Sequence, residues 1–221
     1  MPPIVSIVGE SKSGKTTLIE KLVPELKSRG YQVATVKHAV HSLTFDEPGK
    51  DSWRHAQAGS DAVVISSQDK LVLIRPTAGD LTLDQIARIL GENCDIVLAE
   101  GFKQSSTPKI EVHRKEVGAP LGLVDKLMAI VTDEPLETKK RQFSFQDVKG
   151  LADLLEKGFL KPQRERISLY VNNTPIPLSA FPKEIITRMM LAMASCLKGV
   201  GEIRSLEIFL SREPDEAEVR S

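Results

Sequence analysis

The feature that most constrains this chain is a glycine-rich segment near its amino end, Gly9-Glu10-Ser11-Lys12-Ser13-Gly14-Lys15-Thr16. It matches the pattern G-x-x-x-x-G-K-[ST], and it lies between the apolar run at 4–8 and a stretch with apolar residues at helical spacing. A strand, a loop and a helix in this order can wrap backbone N–H groups around a phosphate chain. Chance produces the pattern in about one chain of this length in a hundred. The sequence therefore predicts a phosphate-binding loop.

Each residue type in the loop has a chemical reason to be there. Gly9 and Gly14 let the backbone turn closely around an anion. We expect Lys15 to bridge the β- and γ-phosphates and the Thr16 hydroxyl to bind Mg²⁺. Thr17 is expected to help hold the α-phosphate.

Two further loop residues belong to the predicted binding set. Ser13 precedes the second glycine, and Lys12 stands where many such loops carry another glycine. Lys12 has two interpretations that the sequence leaves open: it contacts a phosphate or a partner's nucleotide, or it is solvated.

Two acidic residues are candidates for magnesium binding and hydrolysis. Glu100 ends the apolar run that begins at Asp95, and ligands of open α/β sheets bind at the carboxyl ends of strands. We therefore expect Glu100 to polarise water or to hold Mg²⁺ through water. Asp51 follows the second predicted strand and a loop; it contacts magnesium or the attacking water, or it is an ordinary helix N-cap.

Base recognition and metal binding have weaker candidates. Asp133 follows a predicted strand end and could accept hydrogen bonds from guanine N1–H and the 2-amino group, although the usual N-K-x-D motif is absent. His38 and His41 could bind a metal, but no cysteine or acid completes a recognisable cluster, which favours polar loop residues.

Alternating strands and helices predict an α/β fold of the P-loop NTPase type, with a mainly parallel twisted sheet and helices on both faces. We expect a nucleotide-binding domain at 1–160, a small α+β domain or extension at 161–212, and a charged tail at 213–221. Within the extension, the alternation over Ile203 to Leu210 predicts a strand.

Composition limits the classes of partner and compartment. The 30 basic and 30 acidic residues cancel, which argues against a broad nucleic-acid-binding surface. No apolar run reaches the roughly 18 residues that span a bilayer, and the apolar amino end is too short for a signal peptide. With two cysteines and no C-x-x-C spacing, we expect a reducing cytoplasm.

Several segments in their order resemble the molybdopterin-guanine dinucleotide biosynthesis protein B (MobB) family. They are the loop at 9–17, Lys37-His38, the Pro-Gly-Lys-Asp-Ser run at 48–52, Ala58-Gly59, Glu100-Gly101-Phe102-Lys103 and the helix at 147–153. The resemblance covers about residues 4 to 158. Many NTPases share the phosphate loop, whereas the Pro-Gly-Lys-Asp-Ser run at 48–52 together with Glu-Gly-Phe-Lys at 100–103 is far more selective.

The resemblance implies a GTP-binding adaptor, commonly homodimeric, with weak GTPase activity and Mg²⁺. Such a protein helps convert the molybdopterin cofactor to its guanine dinucleotide form, beside a guanylyltransferase and molybdopterin-bearing proteins. It places Asp51 and Glu100 in the magnesium and hydrolysis region. Two alternatives remain at this stage: a small-molecule kinase, and a metal-insertion GTPase that uses His38 and His41.

Overall fold

The structure is a computed structural model that describes residues 1–39, 46–91, 93–161, 167–172, 174–203, 205–208 and 210. Contacts divide the chain into two compact units, Met1–Arg166 and Ile167–Ser221. The strands are β1 (Ile4–Val8), β2 (Val33–Lys37), β3 (Val63–Ser66), β4 (Leu71–Ile74), β5 (Ile96–Glu100), β6 (Lys109–His113), β7 (Leu127–Thr132), β8 (Arg141–Phe143), β9 (Leu169–Val171) and β10 (Thr174–Ile176). The α-helices are α1 (Lys15–Ser28), α2 (Asp51–Gln57), α3 (Leu83–Leu90), α4 (Val148–Leu155) and α5 (Ala180–Ser195).

The first unit is built on one parallel sheet. Its six strands lie in the order β2-β5-β1-β6-β7-β8, and every neighbouring pair is parallel. Strand β1 lies inside the sheet between β5 and β6, and its five residues are apolar or small and buried. The chain leaves β1 between β5 and β6, where the strand order reverses, and ligands of such sheets bind at this point.

Helices cover both faces of the sheet, as the sequence predicts. On one face, Leu18 and Leu22 of α1 and Leu151 of α4 join the larger apolar core. On the other face, Leu83 and Ala87 of α3 pack with residues of β1 and β5. The predicted fold class is therefore confirmed.

Strand β6 carries an unexpected row of buried polar side chains. Ile110 and Val112 join the larger core, whereas Lys109, Glu111 and His113 alternate with them and are also buried. The Lys109 ammonium donates to three backbone carbonyls of the flanking loops, and the Glu111 carboxylate accepts from the Leu121 N–H at 2.6 Å. Through these hydrogen bonds, the row of polar side chains binds loops rather than a helix to that part of the sheet.

The second unit is small. Strands β9 and β10 form an antiparallel pair, and α5 follows them. The strand predicted over Ile203 to Leu210 is wrong: the described residues 203, 205–208 and 210 are not in a strand. An alternating pattern forms a strand only beside a neighbour, and the described sheet of this unit contains only β9 and β10.

Candidate phosphate-binding site

The loop after β1 can be formed only with glycine at its two ends. Gly9 has φ +153°, and a Cβ there would lie 2.3 Å from the Val112 carbonyl oxygen. Gly14 has φ +98°, and its Cβ would lie 3.2 Å from Phe145 Cε1. The first glycine fits the loop against β6, and the second starts α1 in a left-handed conformation.

Lys12 adopts a left-handed conformation with φ +64°, which explains why a glycine is common at this position. A side chain in this region costs roughly 1–2 kcal/mol relative to the right-handed conformation. The Lys12 side chain is exposed, so phosphate contact and simple solvation remain alternative interpretations.

Lys15 bends back over the loop that precedes it. Its ammonium donates to the carbonyl oxygens of Glu10, at 2.7 Å, and Gly9, at 3.3 Å. Burial is the main cause that lowers the pKa of Lys15; the Glu100 carboxylate opposes this effect and Lys103 adds to it. The cation is therefore partly desolvated, and its hydrogen bonds to described residues go to neutral oxygens, which favours attraction to an anion.

Glu100 lies where the sequence analysis expects a magnesium-binding acid. It ends β5, its side chain is 14% exposed, and Oε2 accepts a hydrogen bond from Thr16 Oγ1 at 2.9 Å. The Lys37 ammonium approaches Oε1 at 3.5 Å. The structure thus brings together Lys15, Thr16 and Glu100 at one edge of the sheet.

The chain after Glu100 turns back over the loop through two left-handed residues. Gly101 has φ +93° and Phe102 has φ +56°. A bulky residue at positive φ costs about 1–3 kcal/mol and persists only where its surroundings hold it. The Phe102 ring lies 5.0 Å from the His38 ring, centroid to centroid, and the Lys103 ammonium reaches Glu10 Oε1 at 2.9 Å.

The Arg114 side chain contacts the backbone of the phosphate loop and helps to hold it in place, a role that the sequence analysis missed. Its Nε donates to the Ser13 carbonyl at 3.2 Å, and its guanidinium lies 4.3 Å from the centre of the Phe145 ring. Gly14 passes directly against both side chains. The available signal was an arginine just after a predicted strand, at the edge where ligands bind.

The Ser13 hydroxyl is buried on the β6 side of the loop. Ser13 is 1% exposed, and its Oγ has no hydrogen-bond partner among the described residues. A buried hydroxyl without a partner is costly, so a polar group normally satisfies it. A cavity of about 10 Å³, lined in part by Ser13 and Arg114, adjoins it. The Lys15 cation and the N-terminus of α1 are the donors that suit a polyphosphate.

Two of the other predicted site residues, Asp51 and Thr17, have exposed side chains. Asp51 is the first residue of α2 and 90% exposed, and it approaches Arg54 at 3.5 Å. Its interpretation as an N-cap is wrong, because Lys50 occupies that position. Thr17 is exposed on the first turn of α1.

Asp133 lies just after β7, two strands away from β1. Its Oδ1 accepts from the Lys115 N–H at 3.1 Å, and Oδ2 is 3.9 Å from Arg114 Nη1. The carboxylate therefore faces the residues that support the phosphate loop and helps to fix the turn after β6.

Of the two histidines considered as metal ligands, the structure describes only His38. His38 Nε2 lies 3.4 Å from Asp80 Oδ2, and its backbone N–H donates to the Glu100 carbonyl. His41 lies outside the described residues. Where the chain is described, no three metal-binding side chains group together.

Comparison with known proteins agrees with the resemblance. The family described as molybdopterin guanine dinucleotide synthesis protein B matches residues 4–133, more than half of the chain. The chain belongs to this family.

Curated relatives carry the corresponding adapter-protein description. The molybdopterin-guanine dinucleotide biosynthesis adapter protein of Haemophilus influenzae is 39% identical over 156 residues, which is 70% of this chain and 88% of the relative. The Escherichia coli protein of that name is 35% identical over 161 residues, 70% of this chain and 92% of its own length. A putative adapter protein of Methanocaldococcus jannaschii is 26% identical over 238 residues, and it covers 93% of this chain and 96% of its own length.

Solved structures of the family have the same fold. A crystal structure of molybdopterin-guanine biosynthesis protein B aligns with TM-score 0.55 and 32% identity over 70% of this chain and 98% of its own. A MobB homologue from Bacillus stearothermophilus aligns with TM-score 0.54 and 29% identity, over 70% of this chain and 95% of its own.

No helix in the described parts of the chain is long and apolar enough to cross a membrane.

Proposed function

We propose that this chain is an adapter protein in molybdopterin-guanine dinucleotide biosynthesis. Membership of the family and the names of relatives at 39% and 35% identity support this role. The proposed partners are a cytoplasmic guanylyltransferase and molybdopterin-bearing proteins, because an adapter of this pathway works beside the enzyme that joins the guanine nucleotide to the pterin.

We propose GTP with Mg²⁺ as the ligand of the phosphate loop. The observation that carries this proposal is that the Lys15 ammonium over the loop lies close to the Thr16–Glu100 hydrogen bond at the end of β5. Lys15 binds the phosphates, while Thr16 and Glu100 hold the metal directly or through water. Bound Mg²⁺ supplies charge neutralisation of the phosphate chain. Asp133 is the proposed acceptor for the guanine edge.

Hydrolysis of GTP is proposed to be slow. Glu100 already accepts a hydrogen bond from Thr16 and lies near Lys37, so its carboxylate oxygens are engaged rather than aimed at a water molecule. Asp51 is 90% exposed and approaches Arg54 at 3.5 Å, so its side chain is not fixed by burial for a role at the metal or the attacking water. The arginine beside the loop, Arg114, is already engaged with the Ser13 carbonyl and Phe145. An adapter that holds GTP has no need of rapid turnover.

We propose a homodimer, with the β3–β4 hairpin as part of its interface. The hairpin lies outside the main sheet, and large apolar side chains are exposed on it. They are Val64, Ile65, Leu71, Val72 and Leu73. An exposed apolar patch of this kind marks an association surface. Sedimentation velocity tests the dimer, and Leu71→Lys should shift it towards monomer.

Co-purification tests the adapter role itself. The full chain, tagged, is expected to recover a guanylyltransferase or a molybdopterin-bearing protein from its native cells, with a yield that changes when Mg-GTP is added. Recovery of neither, at expression levels where the tagged chain is abundant, would contradict the role.

A further inference from the structure

Besides Lys12, an exposed residue of the loop itself, three lysine ammonium groups pair with carboxylates or carbonyl oxygens around the phosphate loop. The lysines are Lys15, Lys37 and Lys103, and the carboxylates are Glu10 and Glu100. Lys15 is hydrogen-bonded to backbone carbonyls, and Lys37 approaches Glu100, the proposed magnesium-binding acid. Lys103 pairs instead with Glu10, a residue of the loop itself. Of these three cations, Lys103 is therefore the one that pairs neither with the loop backbone nor with the proposed magnesium-binding acid.

Lys103 reaches the phosphate loop because the chain reverses its direction between Glu100 and Lys103. Two successive left-handed residues, Gly101 and Phe102, reverse the chain immediately after Glu100. The Gly101 N–H donates to the Ile7 carbonyl at 3.0 Å, and the Phe102 ring contacts His38, so the reversal is anchored on both sides. Unusual backbone held in this way is concentrated at ligand-binding sites.

The ion pair between Lys103 and Glu10 is one in which Lys103 can exchange the carboxylate for another anion. The side chains are 46% and 51% exposed, and an ion pair this exposed contributes little to stability. Both Lys103 and Lys15 converge on Glu10, one on its carboxylate and the other on its carbonyl oxygen. A phosphate oxygen can replace the carboxylate, because it offers an ammonium group more negative charge.

We propose that Lys103 leaves Glu10 and binds the terminal phosphate of the nucleotide, so that the site distinguishes a nucleoside triphosphate from a diphosphate. This inference rests on the proposed nucleotide-binding function. The terminal phosphate is the target because Lys103 pairs with the carboxylate of Glu10, whose carbonyl oxygen accepts from Lys15, and Lys15 is the residue expected to bridge the β- and γ-phosphates.

The test compares the affinities of Mg-GTP and Mg-GDP by calorimetry in the full chain. Lys103→Ala should weaken Mg-GTP binding at least tenfold and Mg-GDP binding less than threefold. Lys103→Arg should stay within threefold of the wild type for both nucleotides. Glu10→Gln, which removes the competing carboxylate, should tighten Mg-GTP binding. Lys140→Ala, an exposed lysine in the loop before β8, is the matched control and should change neither affinity.

The outcomes separate this inference from the function on which it rests. Equal losses for the two nucleotides in Lys103→Ala, or no loss, would overturn the role of Lys103 while leaving nucleotide binding in place. Weaker Mg-GTP binding by Glu10→Gln would overturn the exchange, and this variant decides if Lys103→Ala does not fold. A wild-type chain that binds neither nucleotide would overturn both proposals.

Discussion

Lys15 is the residue on which the proposed site depends most. Its ammonium is partly desolvated, and within the described residues it donates to carbonyl oxygens of its own loop. Lys15→Ala should weaken Mg-GTP binding by roughly 1.5–3 kcal/mol, the scale of a lost charge-assisted contact, or about tenfold to a hundredfold. The loop is at the surface, so the free energy of unfolding should change by less than about 0.5 kcal/mol. Calorimetry and urea unfolding measure the two effects; unchanged affinity would place the phosphates elsewhere.

Gly9 tests whether the loop needs its close approach to β6. A methyl group there meets the Val112 carbonyl oxygen at 2.3 Å, so Gly9→Ala combines a steric clash with an unfavourable φ. We expect a loss of about 2 kcal/mol or more in the free energy of unfolding, together with loss of nucleotide binding.

Gly30 provides the matched control for this change. It has φ +91° and ends α1, with no atom within 4 Å of its Cβ position. Gly30→Ala should therefore cost only the conformational term, about 1 kcal/mol, and leave nucleotide affinity unchanged. Equal effects of the two substitutions would show that the contact with Val112 is unimportant.

At the scale of elements, the buried polar row of β6 gives stability a specific pH dependence. Burial is the main cause that raises the pKa of Glu111, although the Leu121 N–H lowers it. The folded state therefore holds the proton of Glu111 more tightly than the unfolded state, whose value is near 4.5. This contribution to stability is complete below that pH and is lost as the pH rises through the folded pKa.

Glu111→Gln keeps an acceptor for Leu121 and removes the titration. Urea unfolding at a series of pH values should give the smallest difference between variant and wild type near pH 4. The variant should then become progressively more stable than the wild type towards neutral pH. The opposite trend would mean that the folded state prefers the ionised carboxylate.

Elements with strong local patterns were predictable from the sequence. The helical spacing of Leu18, Leu22 and Leu26 predicts α1, and all three are buried. Strand β8 was missed because it is a three-residue strand at the edge of the sheet. The strand expected over Ile203 to Leu210 failed for the converse reason: alternation is a local property, whereas pairing needs a neighbour.

Some residues of the candidate site could also be predicted from the sequence, whereas others could not. The loop motif is contiguous, so its residues could be named from the sequence, and Glu100 could be placed by the rule for strand ends. The contacts of Arg114 with Ser13 and of Lys103 with Glu10 join residues about a hundred positions apart. No single-sequence pattern indicates them, since they depend on the order of strands in the sheet.

At the scale of the whole molecule, the division into two units predicts that the first unit folds and binds nucleotide without the second. Unit Met1–Arg166 contains the six-stranded sheet, both apolar cores and the candidate site. The Haemophilus influenzae and Escherichia coli relatives each align with 70% of this chain. A chain that ends at Arg166 should unfold cooperatively and bind Mg-GTP within threefold of the full chain. Circular dichroism and calorimetry test this; loss of folding or binding would make the second unit part of the site.

The central claim is that the loop between β1 and α1 binds a guanine nucleotide with Mg²⁺. Calorimetric titration of the full chain with Mg-GTP, and in parallel with Mg-ATP, tests it most directly. The account predicts one saturable site per chain for Mg-GTP and clearly weaker binding of Mg-ATP. Equal affinity for the two nucleotides would contradict the role of Asp133, and absence of binding by either would contradict the account as a whole.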